Sequence, residues 1–508
     1  MKKILLIASF TLLLFQNCTK VDEKVYDQYT AKDFYALPVG VNAALAAVYA
    51  QVPGNWGGVG YAGADRGWYD LNEMSSDEQV VPHRIDGNWE LDFARMYMRE
   101  WLPSDQFVNY TWNWLYKSVY TANLAIDQLT KANSDPSKIA EVKTLRAFFY
   151  YLLIDDFGDV PFYTDNNLPA SSIPQGKRAD IFNFIVKELT ENLDKLPDYK
   201  QAGNYYGRFT KMAGSALLAK VYLNAEVYIG TPKYAECMAA CDKIINEGGY
   251  SLHPGGANTT SPLGYKYFEL FGDVCPVEET ILAIPTTVDV VGRNIFTVRS
   301  LRSTDGALLA FAPGGAWNGS IMPPDFVNKF NPTKDVRYQQ VRFGSAPNGP
   351  RPAGFLEYKN TLSNVENPGA GVDEGARNQK FFPVEPANGG GASNDFPIFR
   401  YADILLMKAE CLLRTSGSNT DANGLVTQVR VRAGLDPLPA PLTLMNIYDE
   451  RGFELVWEGL RRQDMIRFGT FTKAHGLVPA VDDHFKIFPL PTSALNTNRL
   501  LKQNPGYN

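Results

Sequence analysis

Between residues 111 and 250 one apolar stripe after another recurs at a spacing of three or four, and nothing else in the chain restricts its fold so tightly. In WNWLYKSVYTANLAIDQL, residues Leu115, Val119, Ala122, Ile126 and Leu129 fall on one helical face. IAEVKTLRAFFYYLLIDDF repeats the theme. In ADIFNFIVKELTENLDKLP the buried stripe is Ile181, Phe182, Ile185, Leu189, Leu193 and Leu196. Asp180 is placed to cap its start, and Pro197 lies past its end. RFTKMAGSALLAKVYLNAEVY and YAECMAACDKIINEGG follow, the second closed by Gly248. Each stripe must be buried against a neighbour, and the intervening turns are short. The pattern predicts packed helix pairs, stacked as in tetratricopeptide solenoids. No repeat keeps a fixed period, so the pairs are degenerate.

Helices are also expected in YALPVGVNAALAAVYAQ and, near the C-terminus, in YADILLMKAECLLR, LVTQVRVRAG and IYDERGFELVWEGLRRQDMIRF. The fold class is therefore mainly α. The helical scaffold takes up about 33–52, 111–250 and 397–470, within one domain over 33–508. Two stretches interrupt it, at about 53–110 and 251–396, both dense in Gly, Pro, Asn and Asp. Long irregular excursions on a rigid scaffold usually carry function.

The start of the chain reads as an export signal. Lys2 and Lys3 precede an apolar run from Ile4 to Phe15, which is too short to span a bilayer. Cys18 ends it. A lipoprotein-type peptidase cuts just before such a cysteine, whose thiol then carries lipid; ordinary cleavage beside a chance cysteine is the alternative. The lipid reading is favoured by the position of Cys18. It makes 1–17 the signal peptide, 18–32 a lipidated tether, and the protein an exported lipoprotein. The net charge is −6, and losing Lys2 and Lys3 makes it two units more negative. An acidic chain is a poor binder of nucleic acid. Cys237, Cys241, Cys275 and Cys411 show no metal-binding spacing and read as buried free thiols, although a disulfide stays open.

Catalytic inventories are thin. The four histidines His83, His253, His475 and His484 have no HExxH spacing, and no nucleophile elbow or P-loop occurs. Glu450, Glu454 and Glu458 lie four apart and invite an acid/base reading. Alternating arginines, including Arg462 four residues after Glu458, favour a structural ion-pair network instead. No cofactor is expected. Asp155-Asp156 and Asp482-Asp483 leave a structural calcium ion open, with surface charge or capping the commoner role. The aromatics carry more promise, because a flat indole can cover the apolar face of a sugar ring while nearby polar groups read its hydroxyls. Trp56, Tyr61, Trp68, Tyr69, Trp89 and Trp317 sit in the loop-rich stretches, beside Asn55, Arg66, Asp86, Asn88 and Asn318. Taken singly, each is more often a residue that packs its loop onto the helices. Trp101, Trp112 and Trp114 sit at or in the helical pattern and read as core.

Seven or more motifs, in order, resemble the SusD/RagB family of nutrient-binding outer-membrane lipoproteins. They include LNEMSSDEQVVP, WNWLYKSVYTANLAI, LRAFFYYLLIDDFGDVPF, GRFTKMAGSALLAKVYLNAE, FRYADILLMKAECLLR, DERGFELVWEGLRRQDMIRFG and NRLLKQNPGY. Gly452 departs from the pattern where a second arginine is common, and Arg462-Gln463 where an aromatic pair is usual. The resemblance implies a SusD-like fold with four degenerate tetratricopeptide-like pairs. It implies a partner, a SusC-like TonB-dependent barrel transporter, and a captured glycan or oligosaccharide. It also makes VDEK after Lys20 look like a surface-export signal. Ligand contact by the loops after the first helix and in the middle region would single out Trp56, Trp89 and Trp317, with Trp68, Tyr69, Asn55, Arg66, Asn88 and Asn318 beside them. A peptide-capturing lid and a surface glycoside hydrolase are the competing readings.

Overall fold

The structure is a computed structural model that describes residues 30–54, 60–84, 89–198, 200, 203–287, 292–302, 305, 316–342, 358–366, 371–383 and 390–507. The expected signal peptide and Cys18 lie outside them. Helices dominate. In chain order they begin with α1 (Ala31–Ala36), α2 (Pro38–Tyr49), α3 (Trp68–Glu73), α4 (Leu91–Met98), α5 (Gln106–Lys131) and α6 (Pro136–Phe157). Then come α7 (Arg178–Asn192), α8 (Lys211–Leu223), α9 (Ala225–Ile229), α10 (Tyr234–Glu247), α11 (Phe296–Ser300) and α12 (Pro324–Val327). The last are α13 (Tyr401–Arg414), α14 (Asn419–Arg432), α15 (Leu444–Leu455), α16 (Arg461–Arg467) and α17 (Thr492–Thr497). The first, α1, starts inside the stretch read as tether.

The long helices stack in succession: α5 on α6, α6 on α7, α7 on α8, and α8 on α10. The stack then crosses more than 150 residues of chain, because α10 packs on α13, which also carries α14 and α15. Local signals start and stop these helices. Asp135 accepts a hydrogen bond from the Ser137 N–H, Pro136 opens α6, and Gly158 ends it in a left-handed conformation. Thr443 and Asn446 form a reciprocal cap on α15. The stripes of α5 and α7 are buried as their spacing requires, apart from half-buried Ile126 and Leu193. Trp101, Trp112 and Trp114 are core residues, and the four cysteines are buried and free. In α6 every residue from Thr144 to Phe157 is buried, so the helix is covered all round. The cap of α7 differs from expectation. Its N-cap is Lys177, and Asp180 lies in the first turn, where its charge still suits the helix dipole.

Sheet structure is sparse. Among the described residues the longest ladder pairs β1 (Thr280–Ile284) with β2 (Phe396–Arg400), antiparallel, Thr280 opposite Arg400 and Ile284 opposite Phe396. This ladder leads directly into α13 and ties the middle excursion to the helical stack.

Buried charge holds the C-terminal part of that junction. Arg400 donates to Glu279 at 2.8 Å, to Glu454 at 2.9 Å and to Glu458 at 2.7 Å and 2.8 Å. Arg337 bridges Glu450 at 2.8 Å and Glu454 at 3.1 Å. Arg430, Arg432 and Lys380 complete the set. The glutamates thus form an ion-pair network, but not the one their spacing suggests. The helix ends at Leu455, and Trp457 takes a left-handed conformation. Glu458 therefore leaves the helical face and pairs with Lys380 and Arg400. Arg462 turns instead to the Lys486 carbonyl. The partners come from elsewhere in the chain. Gly452 has a packing reason: a Cβ there would lie 2.8 Å from the Arg461 guanidinium.

Candidate functional site

The two excursions meet where Trp89 touches the 317–319 turn. That turn is built on α11: Trp317 N–H donates to the Val298 carbonyl, Asn318 N–H to Leu301 and Gly319 N–H to Arg299. Asn318 is left-handed at φ 55°, and its side chain is buried. Trp89 Nε1 donates to the Trp317 carbonyl at 2.9 Å, and its ring lies so close over Gly319 that a Cβ would sit 2.6 Å from it. Only glycine permits that approach. Both indoles are half-buried, each keeping part of its surface in solvent. Trp89 also meets Phe93 of α4 edge-on at 5.1 Å.

Charged groups brace this junction. Arg84 donates to the carbonyls of Asn318 at 2.7 Å and Gly371 at 2.6 Å. His83 Nδ1 donates to the Trp89 carbonyl at 2.5 Å. Arg66, left-handed at φ 59°, stacks over the Phe93 ring at 4.4 Å and reaches Asp65, Glu90 and Asp92 at 2.8, 2.6 and 2.8 Å. Burial opposes its charge, but those carboxylates raise its pKa above the ordinary value. Arg299 holds Asp70 through both its terminal nitrogens, at 2.8 Å and 2.7 Å. Arg293 lies 5.9 Å from the Trp317 ring centroid, and burial lowers its pKa to about 10. Asp65 is raised by burial and by neighbouring Asp70. Two of the residues singled out from sequence, Arg66 and Asn318, thus occupy backbone conformations that cost free energy, as residues at ligand sites often do.

The structure brings together Arg66, Trp89, Trp317 and Asn318. Tyr61, Trp68 and Tyr69 go elsewhere. Trp68 and Tyr69 are on α3 rather than in a loop, 3% and 1% exposed, and Tyr61 stacks on Trp68 with ring centroids 4.1 Å apart. The Tyr69 hydroxyl donates to the Trp457 carbonyl at 3.3 Å. In this conformation none of the three presents a face to a sugar. Their turn-rich surroundings concealed a helix of six residues. Asn55, Trp56, Asp86 and Asn88 lie outside the described residues. The sequence reading missed Arg84, Arg293, Arg299 and Gly319, since the contacts that define them span up to 287 residues. Among the described residues, no group of three or more His, Cys, Asp or Glu could hold a metal ion. A concavity of about 350 Å³ lies between α2 and β1, away from this junction, lined by Leu45, Tyr49, Leu145, Phe209, Ile284 and Ile398.

Residues 326–479 match the family model described as SusD family, and residues 60–223 match one described as "Starch-binding associating with outer membrane". The two stretches make up more than half of the chain. The chain belongs to the SusD family. Its similarity to other SusD-like proteins runs nearly end to end. It is 26% identical to the starch-binding protein SusD of Bacteroides thetaiotaomicron, over 88% of this chain and 86% of that one. It is 25% identical to SusD-like protein P25 of Formosa agariphila, over 100% and 99%. Among solved structures, a laminarin binding SusD-like protein superposes with a TM-score of 0.72 at 24% identity, over 92% of this chain and 99% of that one. Surface glycan-binding protein A from Bacteroides fluxus superposes with 0.71 at 20% identity, over 93% and 100%. The fold is the mainly helical SusD fold.

Proposed function

We propose that this chain is a non-catalytic, surface-exposed lipoprotein that captures a glycan and hands it to a TonB-dependent, SusC-like outer-membrane transporter. The observation that carries the reading is the half-buried Trp89–Trp317 pair at the meeting of two loop excursions, in a chain of the SusD family. Relatives named for starch and laminarin binding, and a family description that includes outer-membrane association, support it. Aromatic rings gain from covering apolar sugar faces, at about 25 cal/mol per Å² buried. Asn318, Arg66 and, by sequence, Asn55, Trp56 and Asn88 flank the pair. The carboxylates that suggested hydrolysis, Glu450, Glu454 and Glu458, are buried under arginines and lysine, which weighs against their meeting a sugar. Calorimetric titration against plant, algal and host polysaccharides tests capture. Tight binding of peptides with no glycan bound would favour the peptide-capturing lid, and hydrolysis lost on a single Glu→Gln change would establish an enzyme.

Residues 18–32 act in this reading as a tether, with lipid on Cys18 and VDEK as its address, ahead of one SusD-like domain over 33–508. Cys18→Ala should move the protein from the membrane fraction to the soluble fraction and leave its glycan affinity unchanged. Retention in the membrane fraction would remove the lipid anchor from the account.

A further inference from the structure

The charges around Trp89 and Trp317 are arranged unequally. Among the described residues, four guanidinium groups brace the junction, from Arg66, Arg84, Arg293 and Arg299, and four carboxylates face them, from Asp65, Asp70, Glu90 and Asp92. The counts balance, but the exposures do not. The cations are the buried partners. Arg299 has a side chain that is 0% exposed, that of Arg66 is 13% exposed, and Arg84 and Arg293 are buried residues. Each is engaged by protein groups: Arg299 by Asp70, Arg66 by three carboxylates, Arg84 by the carbonyls of the 317–319 turn and Gly371, and Arg293 by the Gly390 carbonyl. Three of the four anions reach solvent, while Asp70 is buried against Arg299. Glu90, next to Trp89 in the chain, has a side chain that is 72% exposed, and those of Asp92 and Asp65 are 24% and 23% exposed.

We infer that this junction takes an uncharged glycan and turns acidic ones away; the inference rests on the glycan-capture reading above and names the class of glycan within it. A uronate or sulfate ester approaching Trp89 would meet carboxylates first. To gain a guanidinium partner it would have to displace an internal one, a carboxylate of Arg66 or Arg299 or a carbonyl of Arg84 or Arg293, and at Arg299 it would leave buried Asp70 unpaired, which costs more than an exposed pair returns. Hydroxyl groups carry no such penalty, since exposed carboxylate oxygens accept hydrogen bonds from them. The net charge of −6 acts in the same direction over distances up to the screening length of about 10 Å at 0.1 M salt.

The test is titration of the full chain at low and high salt. Soluble starch and β-1,3-glucan form the neutral arm; alginate, polygalacturonate and a sulfated galactan form the acidic arm. The expected result is binding to a neutral glycan, with an affinity that changes less than about twofold with salt. Acidic glycans should bind at least about tenfold more weakly, a difference of about 1.4 kcal/mol. Glu90→Lys should raise affinity for the acidic arm at low salt only. Acidic glycans binding as tightly as neutral ones, or Glu90→Lys having no effect on them, would overturn the inference and leave glycan capture standing. Silence from every glycan in both arms, with peptides bound, would overturn the capture reading and this inference with it.

Discussion

The junction around Glu454 and the junction around Trp89 are both dense in arginines and carboxylates, yet they are built for opposite ends. At Glu454 the central charges are internal: Glu279, Glu450, Glu454, Arg337 and Arg400 are all 1% exposed or less, Arg337 pairing with Glu450 and Glu454 and Arg400 with Glu279 and Glu454. At Trp89 the guanidinium groups are internal, but three carboxylates and part of each half-buried indole reach solvent. The first arrangement fastens the middle excursion to the helical stack. The second shapes a surface. Clusters of similar composition therefore differ in what they can do according to which partner is left in water. A buried ion pair adds little net stability over an apolar replacement, but breaking one side of it is expensive.

The largest expected effect comes from breaking the internal cluster. Glu454→Ala leaves Arg337, Arg400 and Arg432 short of a partner and should cost about 3–5 kcal/mol of unfolding free energy. Chemical denaturation measures it, and a loss below about 1 kcal/mol would remove the contrast between the two junctions. Acid should act through the same group. Burial opposes ionisation of Glu454, but Arg432, Arg400 and Arg337 outweigh it and hold its pKa at about 2. Its contribution is thus present above the ordinary carboxylate range and is lost as pH falls through about 2. A drop of about 3 kcal/mol is expected between pH 5 and pH 2, from about 1.4 kcal/mol per pKa unit. Denaturation midpoints that stay flat over that window in wild type would contradict this, and the drop should shrink in Glu454→Gln.

Changes at the surface junction should touch binding more than folding. Trp89→Ala and Trp317→Ala should each weaken glycan affinity by about tenfold or more, equal to about 1.4 kcal/mol. Titration and denaturation together separate the two effects. Loss of stability without loss of affinity would mark the indoles as packing groups. The smallest effect is expected from Gly319→Ala. Its methyl must push the Trp89 ring aside, so affinity should fall a few-fold, by about 1 kcal/mol, with little change in the denaturation midpoint. Unchanged affinity would show that the ring can shift without consequence.

Much of the scaffold was legible because helix formation is governed by contacts three and four residues apart. The stripe Leu115, Val119, Ala122 and Leu129, and the core residues Trp112, Trp114, Cys237, Cys241 and Cys411, follow from that periodicity. Where a local rule met a distant contact, it failed. Glu458 and Arg462 have ideal spacing for a helical pair, but the chain turns at Trp457, whose N–H donates to Glu73 and Glu78 almost 400 residues away. Trp68 and Tyr69 look like loop aromatics, but α3 packs on α5 and α16 and takes their rings into the core. Loop composition reports turns, and it does not report what covers an aromatic ring.

By itself, then, the sequence determined a mainly helical stack, its SusD family membership and a short set of loop aromatics, because periodicity and ordered motifs are local properties of a chain. Only the tertiary structure decided that Trp89 and Trp317 share one junction, and that the guanidinium groups there face inward while Glu90 faces out. Those features depend on contacts such as Arg299 with Asp70, 229 residues apart, and no local pattern encodes the closing of so long a loop.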